Sequence, residues 1–350
     1  MAKPLDGVRV LDLSRLLPGP YASLVLSDLG ADVVKVEDPD PGDYLREISP
    51  GMFAALNRGK RSVVLDLKTA EGARDLRRLC SVADVVVESF RPGVLERLGL
   101  ADLLRDPGRL VICRISGFGQ AAAGPWRDRA GHDIGYVALA GVIARNGGVP
   151  AVQLGDLFAG AHGAVIGVLA ALVERGRTGV GRVVDVSMAQ GSTGLLLPHL
   201  GELPDAPENT LDGSRPCYRV YACKGGGAYA LGALEPKFWQ RFCQAVGRPE
   251  WVDRGFDASL APEVDALFAT RSREEWESAL RSADCCGEPV LTPSELRTHP
   301  LFADAFVGEL PRTFPALVAT ADLPRRPGPP LGQHTAEVLR EWTATRPGAS

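Results

Sequence analysis

The feature that most constrains the fold is an alternation of short apolar runs and helical segments over the first third of the sequence. Runs rich in Val, Ile and Leu predict strands at 8–13, 32–37, 62–67, 84–88 and 110–116, with helices at 21–29, 69–79 and 93–98. Strands that alternate with helices form βαβ units, in which the strands are parallel and the crossovers right-handed. We therefore expect an α/β fold with a parallel sheet.

The remainder of the sequence predicts a second, smaller domain. Helices are expected at 133–144 and 156–175, a strand at 181–187, a strand pair at 218–222 and 228–234, helices at 236–246, 262–269 and 273–280, a strand at 288–291, and helices at 293–297 and 334–342. Residues 201–216 are rich in Pro, Gly, Asp and Asn, which is typical of a linker. We predict a large domain over 1–200 and 306–350, a linker over 201–216, and a small domain over 217–305.

The composition argues against several classes of protein. With 45% hydrophobic and 23% charged residues among 350, the chain is typical of a globular protein rather than a disordered one. Its net charge of −4 argues against a nucleic-acid partner, because such proteins are usually basic. The N-terminus lacks an apolar leader, and the 7 cysteines contain no Cys-x-x-Cys, so we expect a cytoplasmic protein with reduced thiols. The charge-free stretch 157–173 is short for a membrane span, so we expect a core helix and no membrane partner.

Familiar catalytic motifs are missing from the sequence. It contains no Gly-x-Gly-x-x-Gly after a strand, no Gly-x-x-x-x-Gly-Lys-Ser/Thr and no Gly-x-Ser-x-Gly. These absences argue against a nicotinamide-dependent dehydrogenase, a P-loop nucleotidase and an α/β-hydrolase. The five histidines show no His-x-x-x-His spacing, so no metal site is predicted.

Three side chains stand where catalytic groups could lie. His132 opens a helix after a loop rich in Gly, Ala and Arg, and an imidazole can exchange protons near neutral pH. Asp156 begins a long helix, where it is either an N-cap or a carboxylate beside an anion-binding helix end. Glu235 follows an apolar strand and precedes Pro236, so it is either a surface helix starter or an active-site acid.

Two basic segments border predicted strands. Asn57-Arg-Gly-Lys-Arg61 precedes the third strand, and Ser89-Phe-Arg-Pro-Gly93 follows the fourth, at the edge where parallel sheets bind ligands. Both segments could hold phosphates through ion pairs and backbone N–H groups. Solvated surface charge is the alternative for each residue.

Several segments, in order along nearly the whole chain, together resemble the class III CoA-transferase family and, within it, the α-methylacyl-CoA racemase branch. They are Leu11-Asp-Leu-Ser14 with Pro18-Gly-Pro20, Leu29-Gly-Ala-Asp-Val-Val-Lys-Val-Glu37, Arg61-Ser-Val-Val-Leu-Asp-Leu-Lys68, Phe90-Arg-Pro-Gly-Val94, Ile115-Ser-Gly-Phe-Gly-Gln120, Gly131-His-Asp-Ile-Gly-Tyr136, Gly155-Asp156, Arg177-Thr-Gly179, Gly181-Arg-Val-Val-Asp185, Ala233-Leu-Glu-Pro-Lys-Phe238 and Gly332-Gln-His-Thr-Ala-Glu337. The resemblance implies a large Rossmann-like domain, a smaller α+β domain and an interlaced homodimer. It also implies a CoA thioester substrate and neither a metal nor an organic cofactor.

The resemblance further implies roles for individual residues. Asp156 matches the aspartate that is the nucleophile in the transferases and one acid/base in the racemases. His132 matches the second acid/base of the racemases and Glu235 the glutamate that supports it, so the trio favours a racemase over a transferase. CoA is expected to contact Val36, Glu37, Asp38, Asn57, Arg58, Lys60, Arg61, Ser89, Arg91, Asp133 and Tyr136, with the basic side chains on the phosphates.

Two segments depart from the racemase pattern. Racemases carry three glycines soon after the aspartate, whereas this chain has Leu157-Phe-Ala-Gly-Ala-His-Gly163. The usual Asp-Gly hairpin of the second domain is replaced by Lys224-Gly-Gly-Gly227. The first difference bears on the shape of the acyl pocket more than on the type of reaction.

Overall fold

The computed structural model describes residues 3–121, 124–201, 211–313, 322–324 and 326–343. The chain divides into a large unit, 1–198 with 304–350, and a small unit, 199–303. The limits at 198 and 304 lie near the predicted boundaries at 200 and 306. Most of the predicted linker, 201–216, lies outside the described residues.

The strands are β1 Arg9–Asp12, β2 Asp32–Glu37, β3 Arg61–Val64, β4 Val85–Glu88, β5 Val111–Ser116, β6 Val183–Ser187, β7 Tyr218–Ala222, β8 Ala228–Gly232, β9 Gly287–Pro289, β10 Phe306–Val307 and β11 Leu310–Pro311. The α-helices are α1 Pro18–Asp28, α2 Leu45–Ile48, α3 Pro50–Leu56, α4 Ala70–Cys80, α5 Ala101–Arg105, α6 Asp133–Leu139, α7 Val142–Asn146, α8 Gly163–Thr178, α9 Met188–Ser192, α10 Leu197–Leu200, α11 Pro236–Ala245, α12 Ala261–Phe268, α13 Arg273–Leu280 and α14 Thr335–Thr343. Glu96–Leu100 and Gly155–His162 are π-helical, and the latter continues directly into α8.

The large unit is organised by one parallel sheet. Its strand order is β3-β2-β1-β4-β5-β6, and every neighbouring pair is parallel. The predicted α/β fold with a parallel sheet is therefore confirmed. The chain changes its direction of winding between β1 and β4, and such a switch point opens a crevice at the carboxyl ends of the strands.

Both faces of this sheet are buried. Val85 and Val87 of β4 pack in a core cluster with α1 and α8, whereas Val86 packs in a second cluster with α4 and α14. Successive strand residues point to opposite faces, so burial on both sides requires an apolar residue at nearly every position. This explains why the strands stand out in the sequence as continuous apolar runs.

The stretch Gly155–Thr178 combines a buried face with an exposed apolar one. Among the described residues, it is the helical stretch whose length and composition would suffice for a membrane span. One face joins the core through Ala161, Ala164, Val168 and Ala171, in agreement with the expected core helix. The opposite face leaves Ile166 and Val173 exposed.

The small unit contains a three-stranded antiparallel sheet, β7-β8-β9, which confirms the predicted strand pair. Its hairpin turn places Gly225, Gly226 and Gly227 at φ of 77°, 100° and 79°, a region that favours glycine. Aromatic rings fill its core, where Tyr221 and Phe268 stack with their ring centroids 4.4 Å apart.

Some predicted helices differ from the structure. The helix predicted at 133–144 is interrupted, because Gly141 adopts a φ of 82° between α6 and α7. The helix predicted at 293–297 is wrong. That segment forms turns, in which the Glu295 carboxylate accepts the N–H of Thr292 and pairs with Arg273. Helices α2 and α3 are missed from the sequence because they are too short to show a hydrophobic period.

Candidate active site

A cavity of about 530 Å³ lies in the large unit, at the carboxyl ends of β1, β4, β5 and β6. Its walls come from the loops that follow these strands and from the N-terminal ends of two helical segments. The lining residues include Arg15, Leu16, Pro18, Tyr44, Ser89, Phe90, Arg91, Phe118, Arg127, Arg129, Gly131, His132, Tyr136, Asp156 and Met188. The cavity therefore occupies the crevice that the switch point between β1 and β4 creates.

His132 enters this cavity from the N-terminus of α6. Its backbone is extended, with φ −133° and ψ 168°, and its carbonyl accepts the N–H of Gly135. The preceding Gly131 has no room for a side chain, because a Cβ there would lie 2.6 Å from the Tyr136 ring. Gly131 thus allows the close turn that presents the imidazole to the cavity.

Asp156 enters the same cavity as the second residue of the π-helical stretch. It is not an N-cap, since Leu154 occupies that position, and no described residue donates a hydrogen bond to its carboxylate. Its own N–H donates to Oδ1 of Asp133 at 2.8 Å. That N–H, which the sequence suggests as a donor to an oxyanion, is therefore occupied in this structure.

The surroundings of Asp156 favour its protonated form. The pKa of Asp156 is raised to about 6; burial is the largest cause and the negative charge of Asp133 adds to it, while His132 opposes them. Burial, together with the charges of Asp156 and Asp133, also raises the pKa of Tyr136 to about 12. A carboxyl group with a pKa near neutral can both accept and donate a proton.

Glu235 belongs to the small unit, where it is the N-cap residue of α11. Its side chain is exposed and makes no capping hydrogen bond. The large unit thus brings His132 and Asp156 together in one cavity, whereas the role of Glu235 remains a prediction from the resemblance.

The basic segment at 57–61 lies inside the protein. Arg58 pairs with Asp28 at 2.6 Å, and Lys60 pairs with Asp12 at 3.0 Å. Asn57 accepts a hydrogen bond from Lys60, while Arg61 pairs with Asp32, Glu337 and Glu341. Carboxylates of the chain itself therefore neutralise these cations, and the prediction that they hold CoA phosphates gains no support from their geometry.

The predicted CoA contacts at 36–38 are also engaged within the chain. Val36 is buried, and the Glu37 carboxylate pairs with Arg46 at 2.7 Å. Asp38 pairs with Arg15, which lines the cavity. Of these three residues, Asp38 is thus linked to the cavity through its partner.

The remaining predicted CoA contacts lie at the cavity. Ser89, Arg91 and Tyr136 line it, and Asp133 lies beside Asp156. The Ser89 hydroxyl accepts the N–H of Arg15, which joins the loop after β4 to the loop after β1. Ser89, Arg91 and Tyr136 therefore share a cavity with the two candidate catalytic groups, and the contact of all four residues with CoA stays a prediction.

Sequence reasoning misses three arginines of the cavity: Arg15, Arg127 and Arg129. Arg127 donates to the carbonyl of Gln120, and Arg129 stacks over the Trp126 ring at 4.6 Å. A signal was present, because Arg15 lies in the first βα turn and the other two lie four and two residues before Gly131. Loop residues between a strand and a helix commonly face the ligand in such folds.

The family model of CoA-transferase family III matches residues 5–335. The chain belongs to this family. Human alpha-methylacyl-CoA racemase is 36% identical over 98% of this chain and 94% of its own length. The succinyl-CoA–D-citramalate CoA-transferase of Chloroflexus aurantiacus is 33% identical over 97% of this chain and 94% of its own.

The fold agrees with this family assignment. A crystal structure of a hypothetical protein from Mycobacterium tuberculosis superimposes with a TM-score of 0.81 at 34% identity, over 96% of this chain and 99% of that one. This member of CoA-transferase family III thus has relatives of two kinds, racemases and transferases.

Proposed function

We propose that the protein is a racemase that interconverts the (R) and (S) forms of 2-methylacyl-CoA thioesters. The observation that carries the proposal is the presence of His132 and Asp156 in one cavity. Inversion at C2 requires one group to remove the proton from one face and another to return a proton to the opposite face. An aspartate alone would serve a transferase, so the imidazole in the same cavity favours the racemase.

In the proposed reaction, one group removes the C2 proton and the electron pair of the C–H bond forms an enolate. The other group then donates its proton to C2 from the opposite face, which regenerates the thioester with inverted configuration. Asp156 would serve one face and His132 the other, with Glu235 orienting His132. The thioester carbonyl itself stabilises the enolate, so the proposal requires no cofactor beyond the CoA of the substrate.

The charge of the cavity supports a CoA ester as substrate. Arg91 and Arg129 line it and form no ion pair with a carboxylate among the residues that the structure describes. Guanidinium groups bind phosphates through paired, charge-assisted hydrogen bonds. We assign these two side chains to the phosphates of CoA; Arg15 and Arg127 also line the cavity, but they pair with Asp38 and Asp128.

The test is isotope exchange in D₂O. One enantiomer of a 2-methylacyl-CoA ester should take up deuterium at C2 and lose its optical purity, with no acceptor acid present. If the ester keeps both its C2 proton and its configuration, the proposal of a racemase is wrong.

The alternative function is transfer of CoA to a free carboxylic acid, with Asp156 as nucleophile. It is favoured by relatives such as the Chloroflexus transferase, at 33% identity. It requires the Asp156 carboxylate to attack the thioester carbonyl and release CoA thiolate, which leaves a mixed anhydride. Hydroxylamine would trap that anhydride, and its detection together with CoA transfer would favour this function.

We further propose that two copies of the chain associate. Ile166 and Val173 are 68% and 65% exposed, and they lie two turns apart on one face of α8. The opposite face is already in the core, so a second copy is the occupant that the interlaced homodimer of the resemblance suggests. Sedimentation should give a dimer, and Ile166→Asp with Val173→Asp should weaken it. A monomer at all concentrations would contradict the proposal.

A further inference from the structure

Asp133 has a position that its predicted contact with CoA does not explain. It is the first residue of α6, and its Oδ1 accepts the N–H of Asp156 from the other helical segment at 2.8 Å. Its carboxylate therefore lies against the backbone of Asp156, and no lysine or arginine among the described residues pairs with it.

A glycine makes this approach possible. A Cβ on Gly155 would lie 3.1 Å from Oδ1 of Asp133 and 3.4 Å from Oγ of Ser192. The first distance is shorter than ordinary van der Waals contact, so a side chain at position 155 would require Asp133 to shift by a few tenths of an ångström. Gly155 thus leaves space for the Asp133 carboxylate, and the N–H of Asp156 donates a hydrogen bond to it.

We propose that Asp133 is a positioning residue that retains the negative charge of this carboxylate pair and leaves Asp156 as the member that binds the proton. The inference rests on the proposed proton transfer by Asp156. The negative charge of Asp133 opposes the ionisation of Asp156. The N–H of Asp156 and the helix end stabilise the anion on Asp133, whereas Asp156 has no such donor among the described residues.

Other charges around Asp156 do not change which of the two carboxyl groups binds the proton. His132 lowers the pKa of Asp156, but burial and Asp133 together raise it by more. Asp28 of α1 is neutralised by Arg58. Asp185 of β6 accepts the N–H of Gln120. Helix α9 has no charged side chain. The remaining groups are Tyr21 of α1, His162 of the same helical stretch, which hydrogen-bonds the Leu157 carbonyl, Tyr136 of α6, and the cavity arginines Arg15, Arg91, Arg127 and Arg129.

The decisive measurement is the protonation of Asp156 in the free protein. Aspartate labelled with ¹³C at Cγ reports it by NMR, and Asp156→Asn assigns the resonance. In the unsubstituted protein the midpoint should lie at a pH of about 6, the pKa of Asp156. In Asp133→Asn it should fall because the neighbouring negative charge is lost, but it should stay above the ordinary aspartate value, since burial is the largest cause of the raised pKa.

Asp133→Asn separates a tuning role from a merely structural one. The asparagine amide oxygen can still accept the N–H of Asp156, so a simple helix cap would leave the midpoint unchanged. An unchanged midpoint would therefore overturn the inference. Asp128→Asn, in the exposed loop before His132, is the matched control and should keep the midpoint of the unsubstituted protein.

A second variant keeps the inference testable if Asp133→Asn does not fold. Gly155→Ala retains both carboxylates but displaces Asp133, and should lower the Asp156 midpoint in the same direction by a smaller amount. A rise or no change would contradict the inference.

Kinetics then separate this inference from the proposed function. If the protein is a racemase, the acidic limb of kcat/KM for C2 exchange should shift to lower pH in Asp133→Asn. A shifted NMR midpoint in a protein that catalyses no exchange would retain the positioning role and reject the racemase. Exchange activity in a protein whose NMR midpoint does not shift would support the racemase and reject the positioning role of Asp133.

Discussion

Two sets of basic residues in the large unit carry the same charge but differ in whether a carboxylate of the chain neutralises it. Arg58 and Lys60 are buried and paired with Asp28 and Asp12. Arg91, by contrast, lines the cavity without a carboxylate partner among the described residues. A cation binds a ligand anion strongly only where the protein has not already neutralised it, so a basic cluster in a sequence does not by itself locate a phosphate site.

Asp12, which is buried, and Asp156, which is half-buried, show the same contrast. Burial alone would raise the pKa of Asp12, but Lys60 and Lys35 hold it well below its usual range. Asp156 lacks such partners, and its pKa is raised to about 6. The Asp12 carboxylate thus stabilises the fold, whereas the Asp156 carboxyl group has a pKa near neutral, as the proposed proton transfer requires.

The largest expected effect concerns Asp156, the proposed reactive aspartate. Asp156→Asn removes the group that we propose exchanges the proton, and should lower the rate of C2 deuterium exchange by roughly 10²–10⁴-fold. Circular dichroism should show an unchanged fold. Asp185→Asn, on the exposed side of β6, is the matched control and should retain most of the activity. Full exchange activity in Asp156→Asn would remove this residue from the mechanism.

Breaking the buried pair should destabilise the protein. Lys60→Met leaves the Asp12 carboxylate in the core with its partner removed, which costs about 3–5 kcal/mol of unfolding free energy. Urea denaturation measures the loss. Lys68→Met, at an exposed lysine, should change the free energy by no more than about 0.5 kcal/mol.

A double variant sharpens this test. Asp12→Leu combined with Lys60→Met removes both charges, so it should recover much of the stability that Lys60→Met loses. A double variant less stable than either single one would show that the polar network, rather than the unpaired charge, is what matters.

The two aspartates should affect stability with opposite signs. Asp12 has a lowered pKa when folded, so it stabilises the fold above about pH 4 and this contribution is lost as the pH falls. Asp156 has a raised pKa, so ionising it costs stability as the pH rises from about 4 toward 6. Asp156→Asn should therefore raise the unfolding free energy at pH 8 by about 1–3 kcal/mol, and by much less at pH 4. A loss of stability at pH 8 would contradict this assignment.

The smallest effect is expected for a single arginine of the cavity. Arg91→Ala should raise the KM for the CoA ester roughly tenfold, because one charge-assisted contact to a phosphate is lost. Unfolding free energy should hardly change, whereas Arg58→Ala should show the reverse pattern. Arg78→Ala, on the surface of α4, is the control for both measurements. Equal effects of Arg91→Ala and Arg58→Ala on KM would abolish the distinction between the two basic sets.

The sequence by itself determines the class of the fold, and its resemblance to the family selects the candidate reactive groups. The runs at 32–37 and 84–88 predict strands because both sheet faces are buried, and a strand covered on both sides must be apolar throughout. Local pattern suffices for the strands, since backbone periodicity is a local property. His132 and Asp156 each open a helix after a loop with glycine, but only the resemblance to the family favours a catalytic role for them over a structural one.

Only the tertiary structure decides which charges are available to a ligand. Arg58 and Arg91 look equivalent in the sequence, yet Asp28 neutralises the first from 30 positions away. Likewise, Asp133 reaches the N–H of Asp156 across 23 positions, and Gly155 makes room for it. The free energy of a charge depends on its burial and on neighbours distant in the chain, and neither property can be read from local sequence.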